Sequence, residues 1–229
     1  MRVLAIESST DMLSVAAGSA ATCAVRSERA GQSHSARALP LVSAVLAESA
    51  LALADLDAIA FGAGPGSFTG IRIACGIAQG LALGAGKPVV AIGTLEALCE
   101  EAFARRGATS VFACMDARMH EVYVAAFVRE DGRWREVLAP AVCKPADVVV
   151  PAGRWHGAGD GFAIAPSLAA APGIEAVDAT LLPSAAAVLC LASGRAERGE
   201  AVLPEHALPL YVRHRVALTS AERAAGARL

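Results

Sequence analysis

Aromatic side chains and basic runs are both scarce in this 229-residue sequence. Phe, Trp and Tyr make up 4% of the residues, so a hydrophobic core must be built mainly from Ala, Val, Leu and Ile. The formal net charge is −2 and no Lys/Arg run occurs, which argues against a nucleic-acid-binding surface on this chain alone. The length allows one large domain or two small ones.

Metal-binding and redox motifs are also missing from the sequence. The six cysteines form no CxxC motif, and neither they nor the five histidines have the spacing of a zinc site. We therefore expect reduced thiols, a cytoplasmic location and no bound metal. The opening MRVLAIESST lacks the apolar region of a signal peptide, and we expect no membrane-spanning run.

A glycine-rich loop lies between a predicted strand and a predicted helix. The apolar run at 58–61 predicts a buried strand, and the sequence GPGSFTG at 64–70 follows it. Backbone amides and the helix dipole favour an anion at such a helix N-terminus. The candidate phosphate-binding loop consists of Gly64, Gly66, Ser67, Thr69 and Gly70. The alternative is that these glycines serve only packing.

The predicted helix at 71–84 is apolar on nearly all sides. Glycines recur at every fourth position, at Gly76, Gly80 and Gly84, so they share one face. The predicted helix at 36–53 also has a wide apolar arc. Because each helix has more apolar circumference than one sheet covers, we predict a two-helix partner interface. Its residues are Leu39, Val42, Leu46, Ile73, Gly76, Ile77, Gly80 and Leu81. The alternative is that both helices are interior.

Polar residues with candidate roles follow the predicted strand at 110–116. Asp116, Arg118 and Glu121 could act as acid, base or anion clamp, but a local ionic cluster is the commoner arrangement. Arg72 lies in the first turn of the helix at 71–84, where the dipole disfavours a cation, so a specific anionic partner is one interpretation. No nucleophile elbow or Ser/His/Asp order is visible.

Two units follow from the order of the predicted elements. The first, 1–106, begins with three strands and continues with alternating helices and strands. The second, 107–229, begins with strands, contains a hairpin turn at Asp131-Gly132 and ends in a helix at 182–198, an extended segment at 208–212 and a loosely attached tail. The pattern indicates an α/β fold.

Three motifs resemble the TsaB (YeaZ) family: GPGSFTGIR at 64–72, MDARMHEVY at 115–123 and PLYVRHRVA at 209–217. The opening VLAIESST is similar to the first strand of that family, so the resemblance runs to about residue 217. It implies an actin/sugar-kinase-like (ASKHA) fold with two related α/β lobes and mixed central sheets. The lobes would be 1–106, with a helical interface, and the smaller 107–229.

The resemblance also implies a role. It implies a non-catalytic cytoplasmic subunit in the synthesis of threonylcarbamoyladenosine in tRNA. Its partners would be the catalytic paralogue TsaD and the ATPase TsaE, with tRNA contacted only through the complex. The resemblance also allows the chain to form a homodimer when it is alone.

Two departures from related proteins support the absence of catalysis. TsaD carries two histidines four residues apart, and the aligned positions here are Thr94 and Leu98, which cannot ligate a catalytic metal. ASKHA kinases place an Asp and a Gly near the phosphates, where this chain has Glu7-Ser8-Ser9. We therefore expect no tightly bound cofactor, and at most a weakly bound nucleotide at a complex interface. The alternatives are a small-molecule kinase and a metallopeptidase-like hydrolase.

Overall fold

The computed structural model describes residues 1–213, so the predicted tail and the end of the third motif lie outside the described residues. The first sheet has five strands in the order β3-β2-β1-β4-β5. These strands are β1 (Val3–Glu7), β2 (Met12–Gly18), β3 (Cys23–Arg29), β4 (Ala58–Gly64) and β5 (Val89–Gly93). β1 pairs antiparallel with β2 and parallel with β4, so the sheet is mixed.

The second sheet repeats this arrangement, with the order β8-β7-β6-β9-β10. Its strands are β6 (Ser110–Asp116), β7 (Val122–Glu130), β8 (Arg133–Cys143), β9 (Trp155–Ala158) and β10 (Ile174–Asp178). β6 pairs antiparallel with β7 and parallel with β9, as β1 does with β2 and β4. This repetition confirms two related α/β lobes with mixed sheets.

Five α-helices accompany the sheets in the described part of the chain. They are α1 (His34–Glu48), α2 (Phe68–Ala85), α3 (Thr94–Arg106), α4 (Gly161–Ile164) and α5 (Ala185–Glu197). α1 and α2 cover one face of the first sheet, where Val45 and Ala78 are fully buried. Because the other face is covered as well, β1 and β4 are buried along their whole length and, apart from Glu7 at the end of β1, their sequences are continuously apolar.

Two helices cross between the lobes. α5 follows the second sheet in sequence but packs on the first, where Val188 and Leu189 join β1 and β4 in one core cluster. α3 follows the first sheet, and its Leu95, Leu98 and Ala102 pack with strands of the second. The domain boundary at 106/107 stays a prediction, but α3 and α5 each pack on the sheet that lies across that boundary.

α2 differs in length from the predicted helix at 71–84. It begins at Phe68, because Ser67 is the N-cap and its Oγ accepts the N–H of Gly70 at 3.3 Å. By length and composition alone its 18 residues, with a mean hydropathy of 1.3, are sufficient to cross a membrane, but one such helix is weak evidence for a membrane span. A core helix of a soluble protein passes the same test, and one face of α2 packs on β4.

Candidate functional site

A cleft of about 850 Å³ lies between the lobes and is the main candidate site. It opens where β1 and β6 end and where α2 begins, and crevices at the carboxyl ends of parallel strands are common ligand sites. Residues from the first lobe on its wall include Ser9, Asp11, Ser67 and Thr69. Residues from the second lobe include Asp116, Arg118, Asp160 and Thr180.

The glycine-rich loop packs tightly against the loop that follows β1. A Cβ on Gly70 would lie 1.9 Å from the carbonyl oxygen of Ser8, and a Cβ on Gly66 would lie 2.6 Å from that of Ser9. The backbone N–H of Ser67 donates to the carbonyl oxygen of Ser9 at 2.7 Å. Close backbone approach therefore accounts for glycine at positions 66 and 70, as the packing alternative predicts.

Members of the candidate phosphate-binding loop differ in their access to the cleft. Gly66, Ser67 and Thr69 line it, whereas Gly64 and Gly70 are buried behind it. The Ser67 hydroxyl is used as the helix cap. Gly64 has φ +109, and a Cβ there would lie 2.8 Å from the carbonyl oxygen of Leu210. Anion binding by this loop stays a prediction.

Glu7 is a buried carboxylate beneath the cleft. Its side chain is 1% exposed, Oε1 accepts the N–H of Ser9 at 2.6 Å, and Oε2 has no hydrogen-bond partner among the described residues. Burial raises the pKa of Glu7, while hydrogen bonds from Ser9 and the charge of His34 act in the opposite direction. The Ser9 hydroxyl and His34 Nε2 are also buried without a partner in residues 1–213.

Sequence reasoning treated His34 only as one of five histidines without metal-ligand spacing, because nothing in local spacing links the start of α1 to the end of β1. It noted Glu7 only as a departure from the kinase pattern.

The three residues Asp116, Arg118 and Glu121 do not form one cluster. Arg118 contacts Asp116 at 3.2 Å and reaches Asp11 of the first lobe at 3.3 Å. Glu121 pairs instead with Arg213 at 2.6 Å. The expected ionic cluster therefore holds for Asp116 and Arg118 but not for Glu121, because Glu121 pairs with a segment that returns from far along the chain.

Asp160 is a second-lobe residue that sequence reasoning missed. Its Oδ1 accepts the N–H of Asp116 at 2.9 Å, and burial raises its pKa. This bond connects the end of β6 to the start of α4 and fixes one wall of the cleft.

The predicted interface residues lie on α1 and α2, but not all are at the surface. Gly76 and Gly80 are exposed, and a Cβ on either would meet no atom within 4 Å. Leu39 is 50% exposed. Half-buried positions are Leu46, Ile73, Ile77 and Leu81. Val42 is only 3% exposed and belongs to the core between α1 and the first sheet, so its assignment to a partner interface was wrong.

Positions 94 and 98 are both part of the core. Thr94 Oγ1 accepts the N–H of Gly64 at 3.1 Å, and Thr94 and Leu98 are fully buried. An aliphatic side chain and a hydroxyl engaged in this way do not fit a metal site. Within residues 1–213, no group of three or more His, Cys, Asp or Glu side chains could hold a metal ion.

Comparison with known proteins places the chain in a family. Residues 20–194 match the family described as TsaD: tRNA N6-adenosine threonylcarbamoyltransferase. The tRNA threonylcarbamoyladenosine biosynthesis protein TsaB of Escherichia coli is 41% identical over 223 residues, which cover 95% of this chain and 96% of the relative. TsaB of Haemophilus influenzae is 43% identical over 157 residues, which cover 65% and 66%.

A solved structure agrees with these sequence relatives. YeaZ from Pseudomonas aeruginosa is 41% identical and superposes with a TM-score of 0.85, covering 92% of this chain and 99% of its own. The match extends over both lobes. The chain therefore belongs to the TsaB (YeaZ) family of tRNA threonylcarbamoyladenosine biosynthesis proteins, with an actin/sugar-kinase-like fold.

Proposed function

We propose that this chain is a non-catalytic subunit for threonylcarbamoyl transfer to adenosine in tRNA, acting in the cytoplasm with a TsaD-like catalytic paralogue and a TsaE-like ATPase. Membership of the TsaB (YeaZ) family supports a role in the synthesis of threonylcarbamoyladenosine in tRNA. The observation that supports the partner role is the glycine row of α2, which we define as Gly76, Gly80 and Gly84. All three are exposed, with no atom within 4 Å of an added Cβ.

The glycine row brings no benefit within the chain itself. Each glycine inside a helix costs about 1 kcal/mol relative to alanine. Because no part of the described chain packs closely on these positions, we infer that a helix of another subunit does. Two helices from each subunit would form a four-helix layer in which the glycines set a short spacing. A second copy of this chain would use the same surface, so the homodimer and the heterodimer would exclude each other.

Several features support a role without catalysis. Thr94 and Leu98 occupy the core and offer no metal site. The loop after β1 packs onto the glycine-rich loop, and the buried Glu7 below it would oppose a phosphate. We propose that nucleotide binds weakly, at an interface of the complex, and that tRNA is contacted through the complex, since the chain has a net charge of −2.

The interlobe cleft is the observation that favours the alternative, a small-molecule kinase. Calorimetric titration of the isolated chain with ATP separates the two functions. Submicromolar affinity together with ATP hydrolysis would replace the subunit proposal with the kinase.

The decisive experiment places a bulky side chain on the glycine row. Gly80→Leu fills open space, so the variant should stay folded and melt no lower than the wild type. It should lose binding to the purified paralogue and lose tRNA modification in a reaction reconstituted from all components. The matched control is Ala104→Leu, which adds an exposed Leu to α3 away from this surface.

The control variant should retain both binding and modification. A folded Gly80→Leu protein that binds the paralogue with unchanged affinity would place the interface elsewhere. Modification that proceeds equally well when this chain is omitted would refute the subunit role itself.

A further inference from the structure

A cation held between two aromatic rings lies at the N-terminal end of the glycine row. Phe68 and Arg72 precede Gly76 at spacings of four residues, so they continue the same exposed stripe of α2. The guanidinium carbon of Arg72 lies 3.6 Å from the ring centroid of Phe68 and 5.5 Å from that of Tyr211. Arg72 Nε also donates to the Tyr211 hydroxyl at 2.8 Å.

The exposure of these rings sets them apart from the other aromatic residues. Phe68 is 45% exposed and Tyr211 is 46% exposed, whereas every other aromatic side chain of residues 1–213 is buried or half-buried. The chain contains only 6 Phe, 2 Trp and 2 Tyr. Two exposed rings that contact one Arg form a concentrated aromatic surface, and Tyr and Arg are enriched among the residues that dominate binding energy.

The charge of Arg72 has no carboxylate partner among residues 1–213, although most other arginines there form ion pairs. Because α2 begins at Phe68, Arg72 is its fifth residue and lies just beyond the first turn in which the sequence placed it. Because Nε is occupied by Tyr211, the terminal nitrogens Nη1 and Nη2 are the donors left to face outwards. This arrangement fits a carboxylate bound end-on by two charge-assisted hydrogen bonds.

We propose that Phe68, Arg72 and Tyr211, the Arg72 anchor, bind an acidic side chain of the TsaD-like paralogue at the end of the helix layer. The inference deepens the proposed function and rests on it, since the partner is the same. The glycine row supplies close packing, and the anchor supplies specificity and orientation. An Arg already held by two rings loses little side-chain entropy on binding.

A protein carboxylate fits the anchor better than RNA does. A nucleic-acid surface needs several free cations, but the neighbouring Arg213 is paired with Glu121. Phe68 also has Arg72 over its ring, which leaves less of it for base stacking. One guanidinium with two free donors matches one carboxylate.

The test measures calorimetric affinity for the purified paralogue at low and high salt. Arg72→Gln should weaken binding about thirtyfold, the loss typical of a dominant interface residue, and should reduce the salt dependence of binding. Arg72→Lys keeps the charge but lacks the planar guanidinium, so its affinity should lie between those of the wild type and Arg72→Gln. Tyr211→Phe keeps the ring, removes the hydrogen bond to Nε and should cause a smaller loss.

Arg133→Gln is the matched control, because it removes one positive charge from β8 in the other lobe and should leave the affinity unchanged. Unaltered melting temperatures would show that the variants are folded. If Gly80→Leu abolishes binding while Arg72→Gln does not weaken it, the interface stands and the anchor is wrong. If the wild-type chain does not bind the paralogue, the proposed function and the anchor both fail.

RNA binding provides the remaining outcome. If Arg72→Gln leaves assembly unchanged but weakens binding of tRNA to the assembled complex, measured by fluorescence anisotropy, the anchor contacts RNA and the carboxylate proposal is overturned.

Discussion

At the scale of single residues, the buried Glu7 is the least expected feature of the site. A carboxylate that is 1% exposed, with one oxygen unpartnered within the described residues, opposes folding when it is charged. Gly62 allows this arrangement, since a Cβ there would lie 1.8 Å from Glu7 Oε2. The carboxylate is buried behind the loop after β1, whose Ser9 lines the cleft, and a negative charge there would disfavour a phosphate, which is consistent with weak nucleotide binding.

The pH dependence of stability should reveal this residue. Burial raises the pKa of Glu7 above the ordinary 4.5, so the folded state holds a proton that the unfolded state has lost. The wild type should therefore lose stability as pH rises from 4.5 through the raised pKa. Glu7→Gln lacks this loss, so its stability relative to the wild type should increase towards neutral pH.

Urea unfolding at a series of pH values measures this difference directly. The matched control is Glu205→Gln at an exposed position, which should run parallel to the wild type. If the free energy of unfolding of Glu7→Gln follows the same pH dependence as that of the wild type, burial does not raise the pKa of Glu7.

At the scale of elements, α2 contains glycines of two kinds. Gly70 faces inwards and allows the loop after β1 to approach, with the Ser8 carbonyl oxygen 1.9 Å from the position of an added Cβ. Gly76 faces outwards into open space. The two positions belong to the same helix but follow from different requirements, one internal and one at a predicted partner surface.

Alanine substitution should separate these two kinds of glycine. Gly70→Ala should destabilise the chain by about 1–3 kcal/mol, because the new methyl group meets backbone that cannot move freely. Gly76→Ala should stabilise the isolated chain by about 0.5–1 kcal/mol, because alanine is the better helix former and meets nothing. Thermal and urea unfolding of the two variants give both values. Equal effects on stability would contradict the division between internal and external glycines.

The period-four pattern of α2 could be predicted from sequence because helix geometry alone determines which residues share a face. How deeply a neighbouring helix is buried could not. Val42 lies in an apolar arc that looks like surplus surface, yet the first sheet and α2 enclose it. The pairing of Glu121 with Arg213 was equally hidden, since it joins segments far apart in the chain.

At the scale of the whole molecule, the lobes exchange helices. α3 contributes Leu98 and Ala102 to the core beside the second sheet, and α5 contributes Val188 and Leu189 to the core of the first. Sequence predicts that these helices have buried faces but not which sheet covers them, because both sheets offer similar apolar surfaces. The Arg118–Asp11 contact at 3.3 Å adds a cross-lobe link at the cleft, but both side chains are exposed and its contribution to stability is small.

This exchange predicts that the lobes do not fold independently. A fragment of residues 1–106 is long enough for a domain, but it lacks α5, so one face of β1 and β4 would be exposed. Each buried Val or Leu side chain lost from that face removes about 1.5–3 kcal/mol, a large fraction of the 5–15 kcal/mol that stabilises a typical domain. The isolated fragment should therefore give poorly dispersed NMR spectra and no cooperative melt.

Addition of a second fragment, 107–229, supplies α5 and should restore dispersion and a cooperative transition, whereas the same second fragment without residues 185–197 should not. A well-dispersed spectrum from 1–106 alone would show that the first lobe folds independently and does not need α5.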